Sequence, residues 1–441
     1  MEKKTKWASN VGFLLASAGS AIGLGNLWKF PYLMGENGGF WFLIVYIIFI
    51  LILGLPVMIS ELSIGRMTES GPVKAFGKLN KKFKFIGIIG ISCAFIILSY
   101  YSVIGGWIFK YIENYIVFQA PPADFSQYIA TSAGPVFWHF IFIAITALVC
   151  CYGTKGIERA SKVMMPVLFI MLIVIAIRSL TLGAADKGLA FMFTAKGGFS
   201  LNTIVAALGQ VFYSLSLCMG ITITYGSYLS KKESIPKNVT IIASLDTSIA
   251  LLAGLAIFPA VFAFGLEPSQ GTTLTFGTLP KVFESMQGGW IFAIIFFLLM
   301  AFAALTSAIA LLECVVSAIL DRFNCSRKIA TIFTALGAFL LGIPAALTYG
   351  VLKNFKILNY DFFDFLGVIT DNILMPVGGI FMCIFIGWIW GPKHIAEHVE
   401  TNSNRFPLKK AWLICIRFIV PILIVLVTIV GFINIFNIVT K

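Results

Sequence analysis

Long apolar runs follow one another along this chain, separated only by short charged or turn-rich pieces. They lie near residues 11–35, 41–65, 84–118, 136–152, 163–180, 203–229, 238–264, 288–320, 329–349, 365–390 and 408–438. A helix needs about 20 mostly apolar residues to cross a bilayer, so these eleven runs predict an all-α, polytopic membrane protein with eleven transmembrane helices. A transmembrane barrel would show short segments of alternating polarity instead, and these runs do not alternate. Composition agrees: 59% of residues are hydrophobic and 12% charged, where soluble domains carry about a quarter. No polar or Pro/Gly-rich linker is long enough to mark a domain boundary, so 1–441 reads as a single transmembrane domain.

The net charge of +13 would suit a polyanion binder if it lay on one surface patch. Instead it sorts along the chain. With the N-terminus taken as cytoplasmic, the clusters at Lys3–Lys6, Arg66–Lys84, Lys155–Lys162, Lys231–Lys237, Arg322–Lys328 and Lys393–Lys410 fall on one side and hold 22 of the 32 basic residues. That is the positive-inside pattern, and it predicts no nucleic-acid partner. The eleventh run then leaves the C-terminus external. The eight cysteines lie in apolar runs, apart from Cys325 in an expected cytoplasmic loop, so no external disulfide is expected. Trp7 leads into the first run without a small-residue cleavage site, so that run is read as the insertion signal.

Two runs are interrupted midway. The first contains Gly19-Ser20-Ala21-Ile22-Gly23-Leu24-Gly25-Asn26, with three glycines in seven residues, and the sixth contains Ser214-Leu215-Ser216-Leu217-Cys218-Met219-Gly220. A single such stretch is equally a helix-packing face. Interruptions five runs apart, however, are the pattern of a five-plus-five inverted repeat whose binding site lies at the bilayer midplane. Backbone without helical partners is tolerated at that depth only where it lines a cavity or is covered by protein. Freed carbonyls there suit a hard cation, and freed amides at a half-helix start suit a carboxylate. Sodium and a zwitterion fit together.

The stretch Gly23-Leu24-Gly25-Asn26-Leu27-Trp28-Lys29-Phe30-Pro31, followed by Glu36-Asn37-Gly38-Gly39, resembles the first-span signature of the neurotransmitter:sodium symporter family, in its bacterial amino-acid branch. The resemblance extends from Trp7 to about Trp390 through Glu61 to Arg66, Tyr100-Tyr101, Gly209-Gln210 and Ala303-Ala304-Leu305-Thr306-Ser307. It implies a first inverted repeat over 1–180, a second over 203–390 and an extra C-terminal span over 408–438, with helices 1 and 6 unwound. It also implies two sodium sites. Ala21, Asn26, Ser214 and Asp246, with the substrate carboxylate, would form one; Gly19, Ile22, Ala303, Thr306 and Ser307 would form the other. Without the resemblance, Thr306 and Ser307 would read as hydroxyls bonded back to their own helix.

The same resemblance implies a substrate carboxylate against Tyr101 and the amides of Leu24 and Gly25. The ammonium would face carbonyls of Ala21, Tyr213 and Ser214 and the Ser216 hydroxyl, with Ile97, Met219, Ser307 and Leu311 completing the pocket. Gly23 occupies the position where monoamine carriers have an aspartate, which favours an amino acid. Met219 replaces a family phenylalanine, and a flexible thioether adapts to large side chains. The expectation is sodium-coupled import of hydrophobic or aromatic L-amino acids, tyrosine or tryptophan first and leucine next, with a transceptor that senses but hardly transports as the alternative. Asp246 stands where chloride-dependent members have asparagine, while Ala250 replaces a family acid one turn later, so no chloride is expected. Gates are expected from Lys29 with Asp371 or Asp364 outside, and from Lys4 and Trp7 with Asp321 inside. Glu61 is expected to accept amides freed by the sixth-run break and Glu313 to face the inner pathway. Gly156 and Pro166 have a spacing that the family associates with unwinding of helix 5. No selectivity ring, metal-ligand pattern or nucleophile and base pair supports a channel or an enzyme, and a bacterial inner membrane is the expected setting.

Overall fold

The computed structural model describes residues 6–183, 185–195, 198–265, 274–401 and 405–439. Among these residues, nine helices are long and apolar enough to cross a membrane, or ten when the bent pair Asn10–Ala21 and Gly25–Glu36 is taken as span 1. The rest are span 2 at Phe40–Thr68, span 3 at Lys81–Phe118, span 4 at Ala133–Cys150, span 5 at Gly153–Leu180, span 7 at Ile235–Ala263, span 8 at Gly289–Arg322, span 9 at Arg327–Ala346, span 10 at Phe362–Trp390 and span 11 at Lys409–Ile433. Span 6 consists of Leu201–Ser214 and Ile221–Ser227, which are 14 and 7 residues long and too short singly. The expected count of eleven is reached only when these halves are joined.

Burial orders the helices from centre to edge. The buried share is 78% in span 8 and 67% in span 3, but 33% in spans 4 and 5 and 22% in span 11. Spans 3 and 8 therefore form the middle of the bundle, and span 11 lies at its rim. Small residues permit the tightest approaches: a Cβ on Gly65 of span 2 would collide with the Ile223 carbonyl, and one on Gly226 would lie 2.6 Å from the Leu62 carbonyl. Spans 2 and 6 thus meet backbone to backbone. The two short strands, Lys356–Ile357 and Tyr360–Asp361, form a hairpin that pairs Lys356 with Asp361 and Ile357 with Tyr360. Leu358 and Asn359 turn it with φ of 52° and 65°.

The interruptions are physical. In span 1, Ile22 leaves the helix with ψ 94° and the halves bend by 47°. In span 6, Ser216, Cys218 and Gly220 take left-handed φ values of 52°, 62° and 76°. Span 5, by contrast, is one helix through Gly156 and Pro166. The unwinding suggested by their spacing is absent from this conformation, because the helix tolerates a proline at the cost of one backbone hydrogen bond.

Candidate functional site

The two interruptions lie against each other and against span 8. The Ser20 carbonyl accepts the Ser216 hydroxyl at 3.0 Å and the Ser307 hydroxyl at 3.2 Å, so one freed carbonyl joins spans 1, 6 and 8. On the amide side, Gly23 N–H donates to Asn26 Oδ1 at 3.2 Å and Leu24 N–H to the Tyr101 hydroxyl at 3.2 Å. The Gly25 carbonyl accepts Gln210 Nε2 at 2.8 Å. Glu61 of span 2 accepts Cys218 N–H at 3.2 Å and the Thr222 hydroxyl at 2.9 Å, the service expected of it. Each break is thus stitched by side chains from neighbouring spans, as buried backbone requires.

Asp246 of span 7 is fully buried, as are Asn26 and Tyr46. Its carboxylate accepts Asn26 Nδ2 at 2.8 Å, the Ser214 hydroxyl at 2.8 and 3.0 Å, and the Tyr46 hydroxyl at 3.0 Å. All three donors are neutral, and no ion pair to Asp246 occurs among the described residues. A buried carboxylate surrounded only by neutral groups is electrostatically incomplete, because isolated charge is costly in a low-dielectric interior. A monovalent cation would complete it. Of the other members expected around that cation, Ser214 donates to this carboxylate and Ala21 lines the neighbouring cavity.

Next to it is a cavity lined by Ala21, Gly23, Gly25, Ile97, Tyr101, Tyr213, Ser216, Met219, Ser307 and Leu311, with Ser20 and Ile221. Leu24 and Ser214, also expected at the substrate, stand just behind this lining, Leu24 through its amide on Tyr101 and Ser214 beside Asp246. Ser20 and Ile221 were missed by sequence reasoning. Ser20 was detectable as a hydroxyl between Gly19 and Ala21 in the broken stretch, whereas Ile221 looks like any other apolar residue. The wall is mainly apolar, with polar backbone and hydroxyl groups concentrated at the breaks, the usual composition of a small-molecule site.

Of the second expected cation set, Gly19, Thr306 and Ser307 are brought together. A Cβ on Gly19 would lie 3.1 Å from Thr306 Cβ and 3.1 Å from Met165 Sδ, and the Ser307 hydroxyl reaches the Gly19 carbonyl at 3.5 Å. Ala303 is buried one turn before Ser307, and Ile22 sits at the span 1 break. Thr306 Oγ1 bonds back to the Phe302 and Ala303 carbonyls at 3.1 and 3.0 Å, the ordinary helix arrangement. A hydroxyl that donates in this way keeps its lone pairs for a cation.

Both entrances are shut. Outside, Lys29 Nζ lies 3.0 Å from Asp371 Oδ2 and 4.4 Å from the Tyr213 ring centre, so Asp371 is the partner and Asp364 is not. Inside, Trp7 donates through its indole to the Tyr225 carbonyl at 3.1 Å and through its backbone N–H to the Tyr228 carbonyl at 3.2 Å. Beneath it, Glu313 accepts the Tyr228 hydroxyl and Arg327 Nη1, each at 2.7 Å. Glu313 is therefore a buried ion-pair partner. Lys4 lies outside the described residues. Asp321 accepts the Gly71 N–H at 2.6 Å and stands 3.9 Å from Lys74 Nζ.

Residues 4–132 and 124–440 match the sodium:neurotransmitter symporter family. An uncharacterized sodium-dependent transporter of Bacillus subtilis, YhdH, is 39% identical over 97% of both chains. One from Haemophilus influenzae is 35% identical over 97% of this chain and 98% of its own. Among solved structures, MhsT in complex with L-phenylalanine aligns with a TM-score of 0.90 and 42% identity, over 97% of this chain and 100% of MhsT.

Proposed function

This chain belongs to the sodium:neurotransmitter symporter family, and from that membership we propose that it imports hydrophobic and aromatic L-amino acids with sodium and without chloride. It is a multi-pass membrane transporter and not an enzyme. Tyrosine and tryptophan are the foremost substrates in this reading, with leucine next. The phenylalanine held by the related MhsT structure and the apolar cavity with Met219 in its wall support that order.

The observation that carries the reading is the Asp246 cluster. In chloride-dependent relatives, the anion would lie among residues matching Tyr46, Gln210 and Ser214. Here the Tyr46 and Ser214 hydroxyls donate to Asp246, and Gln210 Nε2 turns to the Gly25 carbonyl. The donors that would hold an anion already serve a fixed one. Sodium entering beside Asp246 restores electroneutrality, and the substrate carboxylate completes its shell, so each favours binding of the other. A second sodium lies among Gly19, Ile22, Ala303, Thr306 and Ser307. Two sodium ions falling through 100 mV supply about 2.3 kcal/mol each, enough for a concentration ratio on the order of 10³.

The cycle alternates between the two closures. Ligand entry from outside follows parting of Lys29 and Asp371, and release follows withdrawal of Trp7 from Tyr225 and Tyr228. The repeats 1–180 and 203–390 move against each other, with span 11 outside both. The N-terminus is cytoplasmic and the C-terminus external in a bacterial inner membrane, as the sorting of basic residues supports.

The test is Asp246→Asn in proteoliposomes. Uptake should fall at least 100-fold in gluconate, since removing one partner of a buried charge costs about 3–5 kcal/mol, and should recover partially when chloride is supplied. Equal uptake in the two anions would refute the assignment.

A further inference from the structure

A groove larger than the substrate cavity opens at the periphery of the bundle between spans 2, 7 and 11. Leu51, Leu55 and Ile59 of span 2 form one wall, and Leu51 is 57% exposed. Span 11 forms the other and is the least buried of the membrane helices. Trp412 fixes the floor: its side chain is 2% exposed and its indole N–H donates to the Pro56 carbonyl and the Ser60 hydroxyl, both at 3.2 Å. The groove is a built feature of the bundle.

Its mouth is charged. Lys237, in the first turn of span 7, and Arg405, just before span 11, both line it and both are exposed. Neither is hydrogen-bonded or ion-paired to another described residue, and no aspartate or glutamate lines the groove. From Ile59 to Leu51 the apolar wall rises about 12 Å, eight residues at 1.5 Å each, close to half of a hydrocarbon core of roughly 30 Å. Two cations at the interface above an apolar trough reaching toward the midplane match an amphiphile with an anionic head. An ammonium-bearing head would find no acid to pair with.

We propose that this groove binds an acidic glycerophospholipid from the leaflet that meets the basic loops. Its phosphate lies between Lys237 and Arg405, and one acyl chain runs along Leu51, Leu55 and Ile59 over Trp412. The bound lipid bridges spans 2, 7 and 11.

Native mass spectrometry of the full chain in detergent, titrated with phosphatidylglycerol, phosphatidylcholine or glycerol phosphate, tests it. The wild type should retain one phosphatidylglycerol in preference to phosphatidylcholine, and glycerol phosphate should not displace it. The pair Lys237→Gln and Arg405→Gln should weaken retention about 30-fold, roughly fivefold for each basic residue at a membrane surface. The pair Lys81→Gln and Lys82→Gln, equal in charge but outside the groove, should leave it unchanged. Ala411→Trp, which fills the trough and leaves the cations in place, should abolish retention. Equal retention of the two lipids by the wild type, displacement by glycerol phosphate, equal losses in the two Gln pairs, or retention surviving Ala411→Trp would each overturn the proposal. The wild-type lipid comparison and Ala411→Trp decide the matter even if the double Gln variant does not fold.

Discussion

At Gly23 the absence of a side chain makes the site usable. A Cβ there would collide with Ser307 Oγ and lie 3.0 Å from the Tyr101 hydroxyl, in the wall of the cavity proposed to receive the amino acid. Gly23→Ala should therefore weaken amino-acid binding by the usual cost of overpacking, about 1–3 kcal/mol or roughly 5- to 150-fold. Gly23→Asp should abolish it by putting a second carboxylate near the substrate's own. Equilibrium binding of labelled tyrosine in saturating sodium checks both, and binding as tight as wild type in Gly23→Asp would remove the reason for preferring an amino acid over an amine. Asp246 was readable in the sequence because an acid is expensive at midplane depth, whereas Gly23 was singled out only through the family resemblance, which puts an aspartate there in monoamine carriers. Ser20 was passed over because a serine among glycines is equally a packing residue, and only its carbonyl, bonded to Ser216 and Ser307, gives it a place in the site.

Among the elements, the broken helices depend on groups outside themselves. Glu61 holds the span 6 break through two acceptor oxygens. Glu61→Gln keeps one acceptor and replaces the other with a donor, leaving one partner unsatisfied at a cost of about 1–3 kcal/mol. The melting temperature of the detergent-solubilised protein should fall, and an unchanged value would mean that the break needs no support from span 2. Span 5 presents the opposite case, since glycine and proline at a suggestive spacing sit in a continuous helix. Met165, the residue before Pro166, faces Gly19, where an added Cβ would lie 3.1 Å from its Sδ, so loosening span 5 would expose the proposed second sodium set. Pro166→Ala should then slow exchange of labelled substrate while leaving sodium-dependent binding unchanged; exchange at the wild-type rate would reduce Pro166 to a static feature. The breaks in spans 1 and 6 were legible because glycine and hydroxyl clusters weaken a helix locally. The state of span 5 was not, because a proline marks where a helix is free to open without saying when it does.

For the whole molecule, the sorting of charge and the order of apolar runs were enough for an all-helical bundle, but not for which spans form its centre. That ranking depends on packing between distant helices, as do the closures. Glu313 pairs with Arg327 across spans 8 and 9 and supports Tyr228 under Trp7, a contact among three segments that no local pattern encodes. The choice of Asp371 over Asp364 opposite Lys29 likewise turned on the register of span 10. Both entrances are closed around one cavity between two interrupted helices, the arrangement of a carrier that exposes its site to one side at a time. In the proposed cycle, sodium entry drives amino-acid accumulation with Asp246 in place of chloride. Uptake of labelled tyrosine, tryptophan and leucine into proteoliposomes, with sodium or potassium outside and chloride or gluconate as the anion, tests it most directly. Accumulation should require sodium, be indifferent to the anion and be greatest for the aromatic substrates. Failure of correctly reconstituted protein to accumulate any of the three on a sodium gradient, or accumulation that collapses in gluconate, would contradict it.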